Sequence, residues 1–227
     1  MSFRYKEDLP RVIKNISFDI ASKQKIGIFG RTGSGKSTLT LGLLRILEKC
    51  ENEDGTEGKI MFDTTDISEI GLKHLRHSIA MIPQDPLLFS GTIRSNIDPY
   101  NEKTDEEIAV CLKKVMIWDD LKENEEEEGE LKRKIECKVD GEGENFSLGQ
   151  RQLLCLARAL IRNPKVLLLD EATASIDMKT DNLIQEMLEK EFKDTTVITI
   201  AHRLNTIIGY DKILALKEGE IQEFDTP

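Results

Sequence analysis

Gly30-Arg31-Thr32-Gly33-Ser34-Gly35-Lys36-Ser37 follows the short apolar run Lys25-Ile26-Gly27-Ile28-Phe29 and precedes the helical periodicity of Leu39–Leu47. The octet fits G-x-x-x-x-G-K-[ST] at every position. Glycines let the backbone fold tightly enough for successive N–H groups to face phosphate oxygens. The loop then enters a helix whose N-terminal dipole favours an anion. Lys36 brings a point charge to the β- and γ-phosphates, and the Ser37 hydroxyl is a ligand for Mg²⁺. A chance glycine-rich turn would lack the flanking strand and helix, so the stretch reads as a phosphate loop.

Downstream, Val166-Leu167-Leu168-Leu169-Asp170-Glu171 ends an apolar strand with adjacent carboxylates. Asp170 is placed to hold Mg²⁺ and Glu171 to polarise an attacking water as general base. By itself an Asp-Glu after a strand is a common loop start; the phosphate loop gives it weight. Further strand candidates are 59–62, 78–82, 196–200 and 213–216, with 12–20 reading as an antiparallel strand near the N-terminus. Apolar runs such as Val166–Leu169 suit strands buried on both faces of a largely parallel sheet. Between Ile82 and Lys165 the pattern changes to helices over 105–118 and 148–162, with no strand between them. The fold class is therefore α/β: a P-loop NTPase core with a mostly parallel sheet, an antiparallel β subdomain on the N-terminal side and an inserted α-helical subdomain. The expected boundaries are 1–83 and 165–227 for the core and about 84–164 for the insertion.

The chain has 227 residues and a net charge of −10. That acidity argues against a nucleic-acid surface, which needs clustered Lys and Arg, and it disfavours self-association, so a monomer is expected. Cys50, Cys111, Cys137 and Cys155 have no CxxC spacing and read as thiols in a reducing compartment. No apolar run approaches the roughly 20 residues needed to cross a bilayer, and the start, Met1-Ser2-Phe3-Arg4-Tyr5, is not a signal peptide. The Glu125–Glu128 run reads as a solvated loop.

Asn145-Phe146-Ser147-Leu148-Gly149-Gln150-Arg151-Gln152 lies between the phosphate loop and the acidic strand. With it the chain resembles the ATP-binding cassette domains of membrane transporters, whose signature, consensus LSGGQ, occupies that place. Gln84 in Ile82-Pro83-Gln84-Asp85-Pro86 resembles the family's Q-loop, Ala174-Ser175-Ile176-Asp177 its D-loop and His202 its switch histidine. Tyr5 stands where family members stack an aromatic ring on adenine. Asn96-Ile97-Asp98-Pro99, Arg4–Leu9 and the altered signature resemble the C subfamily, and the retained Glu171 resembles its second nucleotide-binding domain.

The resemblance implies ATP and Mg²⁺ as cofactors and two domains paired head to tail. Residues 30–38 (Gly30, Arg31, Thr32, Gly33, Ser34, Gly35, Lys36, Ser37, Thr38) and Tyr5 would hold ATP. Ser37, Gln84 and Asp170 would serve Mg²⁺, with Glu171, His202 and Lys36 catalytic. Ser147, capping the helix that starts at Leu148, would act across the interface with Gly149, Gln150 and Asp177. His74 and His77 read as structural. Leu148 stands where most members have Gly, which implies that the site completed by this signature hydrolyses poorly. The implied setting is the cytoplasmic face of a membrane, with the transmembrane domains of the same transporter as partners. The chain itself reads as an excised domain lacking a strand before Tyr5 and helices after Pro227. The alternatives are a nucleotide-sensing regulatory module of a channel-type relative and a homodimeric half-transporter domain of the B subfamily.

Overall fold

The computed structural model describes residues 1–170, 178–201 and 203–227. In chain order these form β1 (Ser2–Phe3), β2 (Lys25–Phe29), α1 (Lys36–Leu43), β3 (Lys49–Cys50), β4 (Met61–Phe62), β5 (Thr65–Asp66), α2 (Leu72–Ser78) and β6 (Ile79–Ile82). There follow β7 (Gly91–Thr92), α3 (Ile93–Ile97), α4 (Asp105–Lys114), α5 (Glu130–Ile135), β8 (Lys138–Val139) and α6 (Leu148–Leu160). The chain closes with β9 (Val166–Asp170), α7 (Met178–Lys190), β10 (Thr196–Ala201), β11 (Lys212–Lys217) and β12 (Glu220–Asp225).

Two compact units emerge: residues 1–81, 165–170 and 195–227 in the first, and 82–164 with 178–194 in the second. Residues 178–194, expected in the core, thus group with the helical unit. Their helix, α7, brings Thr180 against Gly149 of α6, and Glu191 beyond its end pairs with Lys114 at 2.6 Å.

The first unit is built on a six-stranded sheet of order β12-β11-β2-β10-β9-β6. β11, β2, β10 and β9 run parallel to their neighbours in that series, and β12 turns back antiparallel on β11. The central strands bury Ile26, Ile28, Leu167, Leu168, Val197 and Leu214, as strands covered on both faces do. Antiparallel pairs β1–β3 and β4–β5 lie on the N-terminal side of the sequence. Residues 12–20, expected as a strand, make only an isolated bridge from Ile13 to Phe3. Asn15 at φ 45° interrupts the extended backbone there.

In the second unit α3, α4 and α5 pack together, and α3 and α4 also meet α6. Ile93, Ile97, Ile108, Leu112 and Leu154 are buried. A short pair, β7–β8, lies where no strand was expected. Arg158 is held by the backbone carbonyls of Asn96 at 2.8 Å and Leu87 at 3.1 Å and by the Asn96 side chain at 3.0 Å. Burial pushes its pKa down from the usual guanidinium value. No helix among the described residues is long and apolar enough to cross a membrane.

Candidate functional site

Phe29 ends β2, and the chain turns at Gly30 into the phosphate loop. Two of its glycines take left-handed backbone, Gly33 at φ 81° and Gly35 at φ 106°. Gly35 serves as the N-cap of α1 without any side-chain cap, the kind of helix start that can take an anion. A Cβ at Gly30 would lie 2.3 Å from the Leu216 carbonyl oxygen, and one at Gly35 would lie 2.5 Å from Ile13 Cδ1. The loop is therefore wedged between the end of β11 and the 12–14 segment.

Lys36 is buried and donates to the carbonyls of Gly30 at 2.8 Å and Arg31 at 3.3 Å. Ser34 is also buried, and its hydroxyl oxygen has no hydrogen-bond partner among the described residues. A buried hydroxyl with no partner among the described residues, in the same tight loop as a buried ammonium, fits a phosphate chain. Arg31, Thr32 and Ser37 are exposed, which leaves the Ser37 hydroxyl open to a hydrated cation. No group of three His, Cys, Asp or Glu suited to a metal occurs among the described residues.

Sheet register fixes the next element. Phe29 is level with Ala201 across β10, and Asp170 is level with Ile200 on the other side of that strand. Asp170 thus ends β9 at the same sheet edge as the loop, two strand spacings away, or about 10 Å. That edge, at the carboxyl ends of parallel strands, is where α/β folds bind ligands. Tyr5 is half exposed, and its hydroxyl lies 3.1 Å from Thr38 Oγ1 at the start of α1. Glu171, Asp177 and His202 lie outside the described residues.

In the second unit, Gln84 is exposed beyond the end of β6. Ser147 caps α6: its hydroxyl accepts from the Gln150 amide at 3.2 Å, while Gln150 Oε1 accepts from the Ser147 amide at 3.0 Å. This reciprocal box holds the signature turn in one shape. A Cβ at Gly149 would lie 3.1 Å from Thr180 Oγ1, so that glycine serves the close approach of α6 and α7. Leu148 is only partly buried.

The sequence reading missed the residues that brace the phosphate loop from behind. The Gly219 amide donates to Ser34 O at 3.0 Å, and the Lys14 amide donates to Gly219 O at 2.9 Å. The signal was present in Lys217-Glu218-Gly219-Glu220, a glycine turn between the apolar β11 and the alternating Glu220–Asp225.

A wedged phosphate loop with a strand-end carboxylate on a parallel sheet defines a P-loop NTPase domain. Residues 13–174 match the ABC transporter family profile, and the chain belongs to that family, in which such domains are generally ATPases. It is 51% identical over 99% of its length to ABC transporter C family member 3 of Dictyostelium discoideum. It is 50% identical over 100% of its length to ABC transporter C family MRP4 of Zea mays. Identity to the bile pigment transporter 1 of Saccharomyces cerevisiae is 46%, again over 100% of the chain. The chain spans only 15%, 14% and 15% of those three relatives.

Proposed function

We propose that this chain is the second nucleotide-binding domain of a C-subfamily exporter. It hydrolyses MgATP at the interface of a head-to-tail domain pair, and turnover drives export through the transmembrane domains of the same protein. The observation that carries the reading is the phosphate loop, with buried Lys36 and a Ser34 hydroxyl that has no partner among the described residues, in a turn whose Gly30 and Gly35 pack tightly on the protein behind it. The names of the C-family relatives support the choice of subfamily.

In this reading residues 30–38 grip the phosphates through backbone amides, and Lys36 balances their charge. Tyr5 offers its exposed ring to adenine. Ser37 and Asp170 are assigned to Mg²⁺ on the strength of the loop and strand-end geometry, and Gln84 on the strength of the Q-loop resemblance. Bound Mg²⁺ supplies charge neutralisation of the phosphates. Glu171 takes the proton of the attacking water, and His202 donates to the phosphate as charge moves. Ser147, Gly149, Gln150 and Asp177 serve the partner domain's nucleotide, and Leu148 slows turnover at that second site.

The test is the MgATPase rate against protein concentration for the wild type and Glu171→Gln. With a charge of −10 the chain is monomeric when dilute, so the rate per molecule should climb with concentration and vanish in the variant. Full activity in Glu171→Gln would remove that residue as the base. ATP binding without turnover in either protein would mean that the domain needs its unlike partner or is a nucleotide-sensing module.

A further inference from the structure

Tyr5 presents an exposed ring, yet its hydroxyl is directed to the protein, 3.1 Å from Thr38 Oγ1. Thr38 is 3% exposed and stands in the first turn of α1. The contact is set by a neighbouring anchor. Phe3 packs so closely on α1 that a Cβ at Gly42 would lie 2.2 Å from the ring's Cζ. Gly42 and Thr38 are four residues apart on one helix face, and Phe3 and Tyr5 are two apart in the segment lying over it. The Arg4 guanidinium donates to Glu7 O at 2.9 Å and closes the turn that follows. The phenol is thereby delivered to the helix start.

Each hydroxyl can donate or accept, and Thr38 has a single proton to give. Nucleotide phosphate oxygens at neutral pH are acceptors. When Thr38 donates to such an oxygen, its own Oγ1 is left to accept, and Tyr5 becomes the donor to it. We propose that Tyr5 is a positioning residue for the phosphate chain as well as a platform for the base: its O–H donates to Thr38 Oγ1 and aims the Thr38 hydroxyl at a nucleotide phosphate. Bonds in such a chain polarise one another, and the terminal anion strengthens the effect. The inference rests on the MgATP reading above.

The experiment measures equilibrium binding of MgATP and of magnesium tripolyphosphate, which has phosphates but no base. The proteins are wild type, Tyr5→Phe, Thr38→Val, the double variant and Thr38→Ser. Tyr5→Phe keeps the ring and should weaken both ligands by the same factor, about three- to tenfold. Thr38→Val should weaken both at least as much, with no further loss when Tyr5→Phe is added. Thr38→Ser, which restores the hydroxyl, should bring back the dependence on Tyr5. Unchanged binding in Tyr5→Phe overturns the proposal, as does a loss confined to MgATP or strictly additive losses in the double variant. Failure of the wild type to bind MgATP would sink the nucleotide reading along with it.

Discussion

Alanine at Gly35 should damage this protein more than alanine at Gly33, although both glycines have left-handed backbone and lie two residues apart. At Gly33, φ is 81° and a Cβ would meet nothing within 4 Å. The cost there is the backbone term alone, about 1–2 kcal/mol. At Gly35, φ is 106° and the Cβ would sit 2.5 Å from Ile13 Cδ1 and 3.3 Å from the Val12 carbonyl oxygen. Overpacking adds about 1–3 kcal/mol, for a total of about 2–5 kcal/mol. For a chain of this size each kcal/mol moves the melting midpoint by about 2–4 °C. Gly33→Ala should therefore melt about 2–8 °C low, and Gly35→Ala about 4–20 °C low, both followed by differential scanning fluorimetry without nucleotide. Ile13→Val removes the clashing Cδ1 atom and is the internal control. In the wild-type background it costs about 0.5–1.5 kcal/mol; in Gly35→Ala it should raise the midpoint. Equal melting of the two alanine variants, or an additive loss from Ile13→Val, would refute the wedged-loop account.

Ser147→Ala removes half of the capping box on α6 and should cost about 1 kcal/mol, visible as faster amide exchange at Gln150. Asn96, 1% exposed, receives the Phe89 amide at 2.8 Å and donates to Phe89 O at 2.7 Å. Asn96→Ala strands those groups together with one Arg158 nitrogen, the one that donates to Asn96 Oδ1, and should lower stability by about 3 kcal/mol or more by urea titration. Burial pushes the Cys111 thiol up to about 12 from 9.0. The folded state therefore holds that proton longer than the unfolded state, and stability should fall as pH rises from 9 toward 12, a slope that Cys111→Ala flattens. Cys137 and Cys155 are raised by burial as well. A thiol reagent at pH 8 should label only Cys50 in the native protein, and rapid labelling of a second thiol would contradict the buried positions.

The parts of the fold legible in the sequence were those whose local pattern and tertiary environment agree. Lys25–Phe29 and Val166–Leu169 are apolar runs buried on both faces, and β2 and β9 occupy them. Helix ends were less legible because single left-handed residues set them. The periodicity to Leu47 outruns α1, which stops at Leu43 ahead of Arg45 at φ 47°. The apolar pattern to Trp118 outruns α4, which ends at Lys114 ahead of Met116 at φ 57°. β12 escaped notice because Glu220–Asp225 is an edge strand with mostly polar side chains, held by pairing with β11 rather than by burial. At the site, the glycines and Lys36 declared themselves by spacing. The Tyr5–Thr38 contact and the Gly219 brace join residues far apart in sequence, and no local pattern encodes them.

That brace has a practical consequence. The Gly219 amide hydrogen is tied to the carbonyl of Ser34, the residue whose own hydroxyl has no partner among the described residues. Gly219 is no part of the phosphate loop, yet its proton can leave for solvent only when the hairpin and the loop separate. Its exchange rate is thus a built-in gauge of how often the cradle loosens, readable by NMR at one resonance remote from any ligand signal. A slower clock at Gly219 on adding MgATP would register the tightening of the loop from the far side of the wall that supports it.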